Sequence, residues 1–536
     1  MALYKDENIR QIKTARYKGE EITLGCALQK LKEILQDSKP EDILHYRGNG
    51  NFGLMQEITD YFFASYGATL TEGSLSHGAG EAGIIQGRGS YKNMPLREIE
   101  KSEVVIVWGK NPYTTSPYLL PLLEGKKIIV IDPIETKIAQ KADLYIQIKP
   151  RGDLLLALML SRFLHIENNS DEEFLEKYAS EYEDFYELTQ TVRIKAALES
   201  IGVSLGQIGQ ILELIRDKNV AIACGVSLQR YSDGADIMRA IDAFAVYLGL
   251  FAKEGCGIAL LGNTKTDIAS PFFIKAKRVS RVNTDFSNFK TLFIQGANPL
   301  AQMPDTLRVE ASMRDVQNVI YYGLYENESS QRADLVLPAK SFLYKNDIAN
   351  SYLNHAIESS NQALMNENGI SEYDLSVYLC NSFGIILQSE EEYLEYFKKY
   401  VQEDRDDISH MSAHAEIPYQ NGFDTEDGEF CFLDEIDVYR DKDENFFLLT
   451  PKALVSTVRE ELVYLHSAHG YRENDSVLIS SPSGSVRLQV RHNDCLRHDC
   501  VLIYSSTPGV NRLTSSKHSI DGKNAIYQEN KVEISR

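Results

Sequence analysis

Two short segments carry the same residues at the same spacing, each directly after an apolar run. The first is VWGKNPYTTSP, with Gly109, Asn111, Pro112 and Pro117; the second is IQGANPLAQMP, with Gly296, Asn298, Pro299 and Pro304. Both read G-x-N-P-x-x-x-x-P. Glycine lets the backbone approach a ligand closely, and Asn-Pro fixes a turn before the next helix. Backbone N–H groups and a helix N-terminus would then face a phosphate. Asp132, at the end of the apolar run that follows the first copy, stands where an acidic group can hydrogen-bond a purine or ribose. A single copy reads more readily as a plain strand-ending turn. Two copies at matched positions point to two nucleotide halves of one large ligand, or to a ligand pair.

Other residues with chemical potential form weaker patterns. Seven cysteines is an odd number, and no pair has CxxC spacing, so neither a disulfide framework nor a self-contained iron–sulfur ligand set is expected. Cys224 and Cys256 read as small buried apolar residues. His492, Cys495, His498 and Cys500 offer donors that suit zinc. They fall in a strand-turn-strand stretch with no second pair at closed-site spacing, so a metal site is not expected there. His410 and His414 share a possible helical face and read as solvated surface.

The elements that must position the two copies follow from the apolar pattern. Residues 21–37 have helical spacing, and ILHYRGNGNFG reads as a strand running into a glycine-rich loop. VVIVWG, KKIIVIDP and LYIQIKP are apolar strands separated by loop and helix. Residues 167–220 read as mainly helical, VAIACG as a further strand, and RAIDAFAVYLGLF as a helix. TLFIQGANP, VIYYGLY and ADLVLP begin a second α/β unit. Apolar strands alternating with helices predict parallel sheets covered on both faces, with ligands at the carboxyl ends of the strands. The acidic, tyrosine-rich run 389–444 reads as a solvated connection. Beyond it the period changes to two, and SVLISS, SVRLQV and VLIYSS predict a mostly β end, a small barrel.

At 536 residues the chain exceeds the size of one hydrophobic core. With 43% hydrophobic and 25% charged residues it has the composition of a folded globular protein. A net charge of -21 disfavours nucleic acid and anionic lipid as partners. The longest apolar runs fall far short of the roughly 20 residues that span a bilayer. The first residues have charges where a secretory signal would be apolar. The expected location is cytoplasmic, with any peripheral attachment to the inner membrane made through partner subunits.

The ordered set of these segments resembles the molybdopterin oxidoreductase family, which includes formate dehydrogenases, nitrate reductases and the G subunit of respiratory complex I. The likeness runs through GSLSHGAGEAGI, VVIVWGKNP, KIIVIDP, KADLYIQIKPRGDLLLAL, ACGVSLQRYSDGADIMRAI, GLFAKEGCGIALLGN, TLFIQGANP and ADLVLPAKSF. It continues through LLTPKAL and HDCVLIYSSTPGVNRLT. The resemblance implies an α/β fold of two interleaved doubly wound domains with two pseudo-repeated nucleotide corners, plus a C-terminal β-barrel domain. The expected division is residues 1–70 with 265–388 for the second nucleotide arm, 71–264 for the first, 389–444 as connection and 445–536 as barrel. The implied cofactor is a bis-molybdopterin guanine dinucleotide with Mo or W. Gly109, Asn111, Pro112, Asp132 and Gly225 would line one arm, Gly296, Asn298 and Pro299 the other, and Asn511 would close over the pterins.

Departures from the family pattern shape the functional expectation. The likeness starts near Ile9, past the place of the family's 4Fe–4S domain, so no iron–sulfur cluster is expected in this chain and electrons would leave through iron–sulfur redox subunits of a larger complex. The positions matching the cysteine or selenocysteine and histidine of formate dehydrogenases are Ser76 and His77. Serine is a hard oxygen donor to Mo or W; the pair reads more readily as polar residues of a helix-leading loop. Leu261 stands where the formate-orienting arginine is expected. Two functions remain open. One is a scaffold similar to the molybdopterin-like part of the NADH-quinone oxidoreductase (complex I) G subunit. The other is a working Mo or W oxidoreductase with Ser76 as ligand and His77 moving protons. A cofactor-free interaction protein is a third reading.

Overall fold

The structure is a computed structural model; it describes residues 10–263, 268–351, 357–365, 368–401, 416–439, 444–453 and 460–536. The chain divides into two compact units, one of Met1–Leu75 with Thr264–Asp407 and one of Ser76–Asn263 with Ile408–Arg536.

In the second of these units a parallel sheet runs in the order Leu144–Ile146, Lys127–Ile131, Val104–Trp108, Val220–Gly225, Gly257–Leu261. Its central strands are buried on both faces, which is why VVIVW and VAIACG are apolar without alternation. Helices Asp153–Ile166 and Gly234–Tyr247 pack on one face with almost every residue buried. The other unit repeats the plan. Leu335–Pro338, Asn318–Gly323, Thr291–Gln295, Ile43–Arg47 and Thr69–Glu72 lie side by side and parallel, extended by Arg278–Ser280 at one edge and the antiparallel Ala15–Tyr17 and Glu20–Ile22 at the other.

The C-terminal strands close into a six-stranded barrel in the order Phe446–Leu449, Cys500–Leu502, Leu462–Leu465, Gly484–His492, Ser476–Ser481, Lys531–Ser535. Inward residues such as Val463, Val477, Ile479, Val490 and Val501 fill it. The fold is therefore the expected one: α/β units bearing the two corners, and a terminal barrel.

Within the acidic run expected to be a solvated connection, the described residues include buried aromatic side chains. Ser389 and Glu392 form a reciprocal cap on helix Glu390–Lys398, whose Tyr393 and Phe397 are buried. Further on, Tyr419, Phe423, Phe430, Phe432 and Leu433 enter the core beneath Gly234–Tyr247. Aromatic residues spaced among the carboxylates are buried while the charges point outward, and composition alone registers only the charges. His410 and His414 lie outside the described residues.

Candidate functional site

The first corner is built where three parallel strands end together. Trp108 sits in register with Ile131 on one side and Cys224 on the other. Gly109 turns the chain with φ +60, and its N–H donates to the Ile131 carbonyl at 2.8 Å. A Cβ on the neighbouring Gly225 would lie 1.7 Å from the Gly109 carbonyl oxygen, so this crossing admits only glycine. Asn111 precedes Pro112, and its Nδ2 donates to Thr114 Oγ1 at 3.1 Å. Its Oδ1 is buried and has no hydrogen-bond partner among the described residues. The expected helix N-terminus is not there to bind phosphate: Pro112–Thr115 is a single turn. The motif's own second proline stops it, because Ser116 before Pro117 is forced out of the helical region to φ -151.

Charge takes the place of the helix. Lys110, a residue not singled out in the sequence, is only 5% exposed, and no carboxylate among the described residues pairs with it. Burial, and then the neighbouring Lys452, lower its ammonium to about 7. Lys452 is itself held low by burial and by Arg230. Lys452 thus adjoins Lys110, and Arg230 adjoins Lys452. Asp132 is also buried, its Oδ1 accepting from the Ile134 N–H at 2.8 Å; burial, and to a lesser degree nearby Asp153, raise it to about 7. Behind the corner Trp108 Nε1 donates to Asp153 at 2.7 Å.

Ser76 and His77 lie in the same unit, in a tightly held loop. The side-chain oxygen of Gln229 accepts from Gly78 and Gly80, and that of Asn524 accepts from Ala79 at 2.6 Å, which together satisfy the opening N–H groups of helix Ala79–Arg88. Arg230 Nε donates to the Ser76 carbonyl at 3.3 Å, tying this loop to the cation group. His77 Nδ1 is 3.3 Å from Glu81. Asn511 sits in a turn of the barrel, its Oδ1 accepting from Thr514. Leu261 packs into apolar core with Val105 and Val107. Among the described residues no three His, Cys, Asp or Glu side chains gather to hold a metal, and the four His and Cys of 492–500 take separate partners.

The second corner has the same backbone. Gln295 is in register with Tyr322 and Arg47, Gly296 has φ +54, and its N–H donates to the Tyr322 carbonyl at 2.9 Å. Gly48 plays the part of Gly225: its Cβ would lie 2.4 Å from the Gly296 carbonyl. The sequence signal for Gly48 was the glycine-rich RGNG after a strand. Asn298, before Pro299, is fully engaged: Nδ2 donates to Glu328 at 2.7 Å, and Oδ1 accepts from the Ser329 hydroxyl at 2.8 Å and from its N–H. Ala297 stands in the place of Lys110, and Gly323 in that of Asp132.

The model of the molybdopterin oxidoreductase family matches residues 25–374, more than half of the chain. The chain belongs to the molybdopterin oxidoreductase family. Among curated relatives, it is 29% identical over 367 residues to "Probable oxidoreductase YyaE" of Bacillus subtilis (64% of this chain, 55% of that protein). It is 23% identical over 390 residues to F420-dependent formate dehydrogenase 1 subunit alpha of Methanococcus maripaludis (63% and 57%). The chain thus spans little more than half the length of these relatives. Among solved structures, acetylene hydratase from Pelobacter acetylenicus superposes with a TM-score of 0.76 at 15% identity, covering 100% of this chain and 93% of that one, a likeness of fold.

Membership of the molybdopterin oxidoreductase family implies a molybdenum or tungsten pterin cofactor. The first corner fits the anionic part of such a group: the Gly109–Gly225 crossing leaves the backbone bare, the Asn111 oxygen awaits a donor, and Lys110 awaits an anion.

Proposed function

We propose that this chain is the cofactor-bearing part of a molybdenum or tungsten oxidoreductase that works in a larger complex. The observation that carries the reading is the buried, acid-free Lys110 beside Lys452, which itself adjoins Arg230. A buried unpaired cation costs stability and is expected to have a function that offsets it. A cofactor-free scaffold of the complex I type gives it none.

On this reading the guanine dinucleotide form of the pterin cofactor lies with one diphosphate at the first corner. Lys110, Lys452 and Arg230 neutralise it, Asn111 and Asp132 orient the nucleoside, and Gly296, Asn298 and Pro299 hold a second arm with neutral groups. When bound, the metal supplies two-electron oxidation or reduction. Ser76 would be the protein ligand, and His77, its Nδ1 3.3 Å from Glu81, would serve as the proton-transfer group beside it. The matching cysteine and arginine of formate dehydrogenases are Ser76 and Leu261 here, so formate is not the substrate. Electrons would pass to an iron–sulfur partner. No helix among the described residues is long and apolar enough to cross a membrane.

The test is elemental analysis of protein purified from its native host, with acid-released nucleotide identified in the same sample. About one Mo or W per chain with guanine nucleotide is the expected result, and a Ser76→Ala variant should keep the nucleotide and alter the metal's spectrum. Wild-type protein holding neither metal nor nucleotide would overturn the reading.

A further inference from the structure

Three histidines that the proposed chemistry does not use gather on the barrel. His466 and His469 flank a short turn at the end of strand Leu462–Leu465, and His498 sits in the 493–499 loop that links Gly484–His492 to Cys500–Leu502 across that strand. The rings of His466 and His498 are tilted at 34° with centroids 3.8 Å apart; His469 lies 6.2 Å from His498 and 6.5 Å from His466. His469 Nε2 is buried with no partner among the described residues, and Phe446 stands edge-on against that ring at 4.9 Å.

The loop carrying His498 has two attachments. On the barrel side, Asn493 N–H donates to the Leu465 carbonyl at 2.8 Å and Ser467 N–H donates to Asp494 at 2.9 Å. On the other side, Glu135 N–H donates to the Cys495 carbonyl at 2.9 Å, Leu496 bridges to Ile134, and Arg497 donates to the Gln147 carbonyl at 2.7 Å. Residues 132–135 are the loop of Asp132 itself. The 493–499 loop therefore links the histidine turn to the acid loop of the first corner.

We propose that the His466–His469–His498 cluster is a proton-operated clasp: while the rings are neutral the 493–499 loop stays on the barrel turn and holds the Asp132 loop, and acid releases it. The charged groups that face the cluster decide how it responds. Asp494 lies 3.6 Å from His466 Nδ1, but that nitrogen already accepts from the Ala468 N–H at 3.1 Å. Glu473 is taken up by His492 and Arg491, and Asp499 by Arg497, so neither is available to the cluster. Added positive charge among tilted rings with centroids 3.8 Å apart therefore meets repulsion. Burial first holds the His469 imidazolium below the ordinary histidine range; a hydrogen bond to the His498 backbone acts the other way, and the His498 and His466 rings add to the lowering. The sign follows for His469: the unfolded chain binds its proton first, so its contribution to stability is present at and above neutral pH and is lost as pH falls below the usual histidine value of 6.5.

Hydrogen exchange on the purified full chain reads the clasp with or without bound cofactor, so its outcome stands apart from that of the proposed function. After correction for intrinsic rates, moving from about pH 7.5 to about pH 5.5 should reduce protection of residues 132–136 and 493–500 by about tenfold and leave 237–247 unchanged. His498→Gln should remove that difference; His469→Phe, which keeps a ring against Phe446, should reduce it and serves if the first variant folds poorly. Wild-type protection that does not change with pH, or a loss that persists undiminished in both variants, overturns the proposal.

Discussion

At the first corner Gly109 is followed by a buried lysine with no acid beside it, an asparagine with a bare oxygen, and, one strand over, a carboxyl raised to about 7. At the second, Gly296 is followed by alanine, its asparagine is saturated by Glu328 and Ser329, and glycine stands one strand over. Strand order, register and the glycine crossing are the same at both. One backbone thus serves two electrostatic designs. The first leaves a buried lysine without an acid and an asparagine oxygen without a donor; at the second the asparagine is saturated by its own neighbours.

The shared part of the comparison should be the most sensitive to mutation. Gly225→Ala forces a Cβ to within 1.7 Å of a backbone oxygen, and Gly48→Ala to within 2.4 Å. Neither neighbour is a flexible side chain that could move away. We expect losses of about 3 kcal/mol for Gly225→Ala, with Gly48→Ala somewhat smaller, read by chemical denaturation. If either is neutral, the crossing is not the fixed frame of its corner.

Lys110→Met should separate binding from stability. Removing a buried unpaired cation relieves its desolvation, so the ligand-free protein should gain about 1 kcal/mol. Affinity for GDP, a probe of one nucleotide half, should fall by about tenfold. Ala297→Lys at the other corner should restore nothing, because Asn298 there is already saturated by Glu328 and Ser329. A Lys110→Met variant that is less stable and binds GDP equally well would make the lysine a structural residue.

The corners were legible in sequence because a repeated motif is hard to produce by chance; what happens in them was not. Position x of G-x-N-P carries no turn constraint, so Lys110 looked like any surface lysine until the fold buried it. The helix expected after each Asn-Pro was ended by the very proline that completed the motif. Donors in 492–500 were grouped by nearness in sequence. The structure instead sets His498 against His466 and His469, because strands Leu462–Leu465 and Cys500–Leu502 are neighbours in the barrel. The barrel itself was visible from its period of two, and the parallel sheets from their unbroken apolar strands.

Acidity should sharpen the contrast between the corners. As pH rises through about 7, Lys110 loses its charge and Asp132 gains one, and both changes disfavour an anion. GDP affinity should therefore fall by about tenfold between roughly pH 6 and 8, and Lys110→Met should flatten the profile. The ligand-free linkage has two opposite signs. Asp132, raised, costs stability as pH climbs from the carboxylate range to about 7; Lys110, lowered, costs stability as pH descends from the lysine range to about 7. Both costs are greatest near neutrality, which is where a bound phosphate would relieve the lysine's share.

The smallest effect tests whether the two asparagines differ as their contacts indicate. Asn298→Ala removes bonds to Glu328 and to both the hydroxyl and N–H of Ser329, so it should cost about 1–2 kcal/mol even with no ligand present. Asn111→Ala gives up one bond to Thr114 and rids the interior of an unsatisfied oxygen, so its effect on stability should lie within about 0.5 kcal/mol of zero. Adding saturating GDP reverses the ranking. The bound nucleotide is expected to engage the Asn111 oxygen, and thermal stabilisation by GDP should shrink in Asn111→Ala and stay near wild type in Asn298→Ala. Equal costs without ligand and equal shifts with it would mean that the motif asparagines do the same work, and that the asymmetry between the corners rests on Lys110 and Asp132 alone.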